Sequence, residues 1–317
     1  MEELMPVCRL SYQNLNCHIL LVLLLSQSAC TGGERNVELL FTFGDEGSSA
    51  GQFRYIEDFA VDQYGDLYIT DALNANVQKF KPDGTYISSF GHSKTSESLR
   101  KPEGIAIDED GNIHVADYLT GLINKYSAAH QLLLTYSGYG NAEGKTQETE
   151  FMTFHQNGLL YVPEAGNSRI SVFNKEGHFK YTFANKGFEP GQLKRPEAVK
   201  HNSKGLLYVA DLGNHRVQVF DQYGDFIFLW GSEGNEAGQF RKPSGIAIDQ
   251  YDNVYVAEIG NNRIQKFNSR GEFLYMFGKS GRSPGEFGNI HGITIGLNGL
   301  LYVADTANHR VQVFDVR

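Results

Sequence analysis

Residues 205–225 read "GLLYVADLGNHRVQVFDQYGD", and residues 299–317 read "GLLYVADTANHRVQVFDVR". The second copy stops where the first runs on. The acid that closes each "YVAD" gives a ruler along the chain. Asp71 ends "LYITD", Asp117 ends "IHVAD", Glu164 ends "LYVPE", Asp211 ends "LYVAD", Glu258 ends "VYVAE" and Asp305 ends "LYVAD". The first step is 46 residues and the following four are 47 each. A register held that long makes six structural units of one kind.

The fifth unit shows the internal grammar. It contains "PSGIAID" (243–249), "NVYVAE" (253–258), "RIQKF" (263–267) and "EFLYMFG" (272–278). Gly, Asn, Asp and Ser separate the runs, as turns require. The runs are short and rich in Val, Ile, Tyr and Phe, which favours strands over helices. Several are apolar at nearly every position, so they need cover on both faces. Four strands per repeat of this length predict an all-β, six-bladed β-propeller, each blade sandwiched between two others.

The truncated last copy lacks a fourth strand. An orphan run, "VELLFTFG" (37–44), stands ahead of the first full repeat and reads like the fourth strands "EFLYMFG" and "DFIFLWG". An open ring would leave two unpaired sheet edges. The N-terminal strand is therefore expected to complete the last blade, with the propeller spanning 37–317.

All three cysteines, Cys8, Cys17 and Cys30, precede the propeller, so thiol and disulfide chemistry is excluded from it. Ile19 to Leu25 form a seven-residue apolar run, too short to span a bilayer and suited to a signal-peptide core. Residues 1–29 are read as a signal peptide and 30–36 as a polar tether. Glu2 and Glu3 do not suit a positive leader; initiation at Met5 would remove both and keep Arg9. "SQSAC" resembles a bacterial lipobox with Cys30 as the lipid attachment site, although Gln27 stands where Leu is usual. Lipid anchoring at the cell membrane, plain secretion into a periplasm or outside, and an uncleaved or misannotated start all stay open. The first two place the protein outside the cytoplasm. Formal charge is -9 overall. Without residues 1–29 there remain 27 basic and 35 acidic residues, or -8. Such a domain has no general attraction to phosphate backbones, which argues against a nucleic-acid partner.

The pattern "P-x-G-I-A-I-D…G-N-I-x-V-A-D…N-x-R-I-Q-x-F…G-x-F…F-G" resembles the NHL repeat over residues 37–317. The resemblance also implies a six-bladed propeller. It implies little about chemistry, because propellers host many functions. Relatives include protein-binding scaffolds, RNA-binding domains of ubiquitin ligases, bacterial sensor domains and a peptide-amidating lyase. Repeats two and three depart most. Leu122 occupies the arginine column, Pro163 sits inside "YVPE", and a polar stretch fills 137–150.

Two constellations carry chemistry. The strand-two acids are followed five residues on by Arg169, Arg216, Arg263 and Arg310. Recurrence in most blades predicts a structural, bidentate ion pair. The second is the position opening strand one, which reads Glu57, Glu103, Glu150, Glu197, Ser244 and His291. Four glutamates and a histidine are expected to ring one mouth of the central channel. At spacings of roughly 10 Å and an effective dielectric near 20, each adjacent glutamate pair repels by about 1.7 kcal/mol. Protons, nearby cations (Lys101, Lys194, Arg195, Lys200) or a bound divalent ion must offset this. In the amidating lyase this column supplies zinc histidines from alternate blades. The matching positions here are Glu103, Glu197 and His291, and only His291 keeps the residue type. The lyase's loop tyrosine and its arginine near the end of strand two find no match. Oxygen ligands favour Ca²⁺, while His291 tilts the set toward Zn²⁺. A purely structural ring stays open.

The expected function is an extracytoplasmic, monomeric binding or scaffold propeller. Its partner would be a protein, peptide or small ligand on the channel-mouth face. The alternative is a metal-dependent lyase or lactone hydrolase using the ring.

Overall fold

Turn residues at regular intervals and β-branched or aromatic runs between them give, among the described residues, 26 strands and almost no helix. The computed structural model describes residues 37–92 and 98–317. Cys30, the leader 1–29 and the tether 30–36 lie outside the described residues.

Six four-stranded sheets form the blades. Blade four runs Pro196–His201, Leu207–Asp211, Arg216–Phe220 and Phe226–Trp230, each strand antiparallel to the next. Its second strand is buried throughout, whereas its fourth is exposed to half-buried. That gradient explains the sequence pattern. Inner strands are covered by blades on both sides, and outer strands meet water on one. One core cluster shows the cover: Tyr208 and Val219 of blade four pack with Phe240, Val256 and Phe267 of blade five.

Blade six is built from both ends of the propeller. Ile290–Ile295, Leu301–Asp305 and Arg310–Asp315 pair in order, and Glu38–Phe43 adds to Arg310–Asp315. The pairing is antiparallel from Glu38 opposite Asp315 to Phe43 opposite Val311. The orphan strand closes the ring as expected.

Blade three departs from the four-equal-strand expectation. Its first strand is reduced to Thr153–Phe154, against six residues in the other blades. Pro163 offers its neighbour only a carbonyl, which accepts the Glu150 N–H at 3.0 Å. The segment before Thr153 pairs with blade four instead. Phe151 donates its N–H to Glu197 at 2.9 Å and accepts from Val199 at 3.1 Å. The polar stretch 137–150 is not an insertion. Tyr139 bridges Thr146 in parallel, as Lys186 bridges Leu193 and Ser280 bridges Phe287 in later repeats.

Candidate functional site

The strand-two acid is a hub that fixes the chain arriving at the channel. In blade four the Asp211 carboxylate accepts from Lys194 N (2.7 Å), Asn214 Nδ2 (2.8 Å), Arg216 Nε (2.8 Å) and Gln218 Nε2 (2.9 Å). The ion pair is not bidentate. Arg216 gives the acid only Nε, and its terminal nitrogens bind the carbonyls of Phe188, Glu189 and Gln192. The arginine thus clamps the loop while the acid holds that loop's end. Asp71 likewise accepts from Arg54 N and Tyr55 N, Asp117 from Arg100 N and Lys101 N, and Asp305 from Gly288 N. Each held amide lies two or three residues before a ring position. These repeated bonds from the acid to the arriving backbone deliver Glu57, Glu103, Glu197 and His291 to one place.

That place is a cavity of about 330 Å³ at the channel mouth. Glu57, Glu103, Glu150, Glu197 and His291 all line it, with Tyr55, Lys101, Tyr118 and Arg195. Ser244 does not join them, because its hydroxyl turns to the carbonyls of Ile290 and His291. The glutamates are 3, 3, 4 and 7 % exposed, so their carboxyls are largely removed from water. A cleft of about 800 Å³ also opens between blades five and six. Its charged Lys266 and Asp249 face each other at 3.3 Å, so the convergent carboxyls are found at the mouth.

Burial decides the charge state. It pushes Glu57 up to about 8 against the opposing Lys101 charge. Burial and the Glu57 charge push Glu103 to about 8, and burial brings Glu197 to about 7. Glu150 is held well above the ordinary range by burial and the neighbouring carboxylates. His291 is pushed down by burial. Its Nδ1 lies 2.9 Å from Glu57 Oε2, outside hydrogen-bond alignment. Near neutral pH this contact joins a largely protonated acid to a neutral imidazole, so it is not a working ion pair. Asn289 Nδ2 meets the other ring nitrogen at 3.1 Å.

Of the four cations expected to neutralise the ring, Lys101 alone pairs with a ring glutamate. Its Nζ sits 2.5 Å from Glu103 Oε1 and 3.9 Å from the centre of the Tyr118 ring. Arg195 pairs with Glu148 at 2.8 Å, and Lys194 lies over Phe188. Lys200 is directed to Asp58 at 3.9 Å, a residue the sequence reading passed over. The signal was present: Asp58 stands where other repeats have Gly104, Phe151, Ala198, Gly245 and Gly292. Tyr55 and Asn289 were also missed, and they carry no comparable repeat signal.

Glu103, Glu197 and His291 share the cavity but are not arranged as a ligand set. Among the described residues no three His, Cys, Asp or Glu side chains are placed to hold a metal ion. Glu103 is engaged by Lys101, and His291 by Asn289. The residues directly after the strand-two acids divide into two groups. Tyr118, Leu212 and Ile259 line the mouth, while Ala72, Ala165 and Thr306 are buried. Around the same end of the blades Leu73, Leu119, Tyr139 and Phe188 are each more than half exposed.

The NHL repeat profile matches residues 193–220, 240–267 and 287–314, the inner three strands of the last three blades together with the chain leading into them. The chain carries NHL repeats. Solved structures resemble this NHL propeller throughout. Virginiamycin B lyase from Staphylococcus aureus is 14% identical, with 88% of this chain and 98% of that chain covered and a TM-score of 0.63. An auxiliary nutrient binding protein from Bacteroides ovatus is 14% identical, with 89% and 77% covered and a TM-score of 0.66. At these identities the likeness is one of fold. No curated protein matches the NHL propeller in sequence.

Proposed function

We propose that this NHL propeller is an extracytoplasmic binding module whose channel mouth receives a cationic group, the ammonium or guanidinium of a basic peptide or protein segment. The observation that carries this reading is Lys101. Its ammonium already rests between a ring carboxyl group and an aromatic face, so the protein itself displays the chemistry the mouth accepts. Burial keeps the ring carboxyls protonated up to about pH 7 to 8. A ligand cation takes the place of those protons. The exposed apolar rim supplies contact area for the residues flanking the basic anchor. Nutrient-binding proteins among the structures of similar fold support a ligand-binding role.

Trilysine is the first probe. Calorimetric titration at pH 8 should show one site, and Glu103→Gln with Glu197→Gln should weaken it about tenfold or more, the scale of a lost charge-assisted hydrogen bond. Unchanged binding by that variant would place the ligand elsewhere. CaCl₂ and ZnCl₂ titrated in parallel test the divalent-ion alternative. A melting temperature raised by either ion, and by no peptide, would favour a metal-dependent lyase or hydrolase.

The leader 1–29 exports the chain in this reading, and Cys30 anchors it through lipid. Cys30→Ala should release the protein from membranes while the propeller stays folded. Unchanged partition into detergent would remove the anchor from the account.

A further inference from the structure

The axial channel contains two cavities, not one. The mouth cavity touches Glu57, Glu103, Glu150, Glu197 and His291. A second cavity of about 240 Å³ begins two or three residues further along the same strands and has no lining residue in common with the first. All six channel-column residues, Ala60, Ala106, Thr153, Lys200, Ala247 and Thr294, line it.

The level between the two is held by Asp58, Gly104, Phe151, Ala198, Gly245 and Gly292. Three glycines there let neighbouring strands close in. A Cβ on Gly104 would collide with the Glu150 carbonyl, one on Gly245 with that of His291, and one on Gly292 with that of Glu57. Phe151 packs into the blade-four core. Asp58 is thus the one acid at this level, and it is 1 % exposed. Lys200 reaches it from blade four, which stands opposite blade one in a ring of six, to within 3.9 Å, and hydrogen-bonds Met152 O at 3.2 Å. Two departures from the repeat, in opposite blades, meet across the axis.

We infer that Asp58 and Lys200 form the floor of the mouth site and limit what it accepts to a single cationic tip. This rests on the mouth being the binding site. A ligand enters and leaves by one face, and a second ammonium on the same ligand meets an Asp58 already paired with Lys200 and gains no counter-charge there. A floor of this kind would select a lysine or arginine side chain over a polyamine threaded through the channel.

The test restores the repeat's own residues, Asp58→Gly and Lys200→Ala, which the same columns carry in three other blades each. Binding of n-butylamine and 1,8-diaminooctane is followed by NMR titration of the purified protein. In the wild type the two affinities should agree within about threefold, since one ammonium is engaged. In the double variant the diamine should bind about tenfold more tightly than butylamine or better. Equal ratios in both proteins would overturn the floor. Crystal structures of both proteins give a readout independent of any amine. Ordered water should break off at the Asp58 level in the wild type and run through in the variant, and an unbroken wild-type column would overturn the inference. If neither amine binds the wild type, the proposed mouth function falls, and the water column alone decides the floor. Lys200→Met, which keeps side-chain length without charge, covers the case in which the double variant does not fold; it should relieve the penalty on the diamine.

Discussion

Burial and neighbouring carboxylates hold all four ring glutamates above the ordinary carboxylate range. The mouth therefore stores protons at neutral pH, and this has a sign. Folded-state values of about 8, 8 and 7 for Glu57, Glu103 and Glu197 lie above the unfolded value near 4.3. Their contribution to stability is full below about pH 4 and is lost as pH rises through 7 to 8. The melting temperature should fall between pH 5 and pH 9, and Glu150→Gln should flatten that fall. A variant with the wild-type slope would show that the ring does not store the protons. The ring itself was legible, because repeat register alone assigns Glu57, Glu103, Glu150, Glu197 and His291 to one level of the channel. Its protonation was not, since that depends on burial, and the local sequence does not encode burial at a mouth. The partner of Lys200 lies 142 residues away at Asp58, so no spacing rule could join them.

At the scale of the element, the acid hub explains why "D-x-x-N-x-R-x-Q" recurs. Asn, Arg and Gln at three, five and seven residues past the acid all bind it in blades four, five and six. Asp211→Ala would leave the Arg216 guanidinium buried without its carboxylate, at a cost of about 3–5 kcal/mol. Asn214→Ala removes two hydrogen bonds, to Asp211 and to the Gly187 carbonyl, and should cost about 1–2 kcal/mol. Urea unfolding measures both, and equal losses would contradict the hub. The sequence showed the acid and arginine but suggested a bidentate pair. The clamp onto carbonyls of the preceding loop needs the blade's three-dimensional return, which spacing does not show. Blade three was legible as irregular through Pro163 inside "YVPE". The rerouting of Phe151 onto blade four was not, because it is a pairing between repeats.

The whole molecule is a ring closed by one strand, and that closure was readable from the truncated last copy of the repeat. Glu38–Phe43 supplies the outer strand of blade six, with Phe41 and Phe43 packed against the core cluster containing Tyr302 and Val313. Deleting residues 37–44 should expose Arg310–Asp315 as an edge and abolish soluble folded protein. A soluble monomer with an unchanged melting temperature would contradict closure. The mouth depends on the ring, because its lining residues come from all six blades. The central claim is that the mouth exchanges protons for a cation. The most direct measurement is calorimetric titration of trilysine at pH 7 in buffers of different ionisation enthalpy. The account predicts that binding releases protons and tightens as pH rises from 6 to 9, and that Glu103→Gln with Glu197→Gln removes both effects. Binding without proton release, or with release that survives this double substitution, would contradict it.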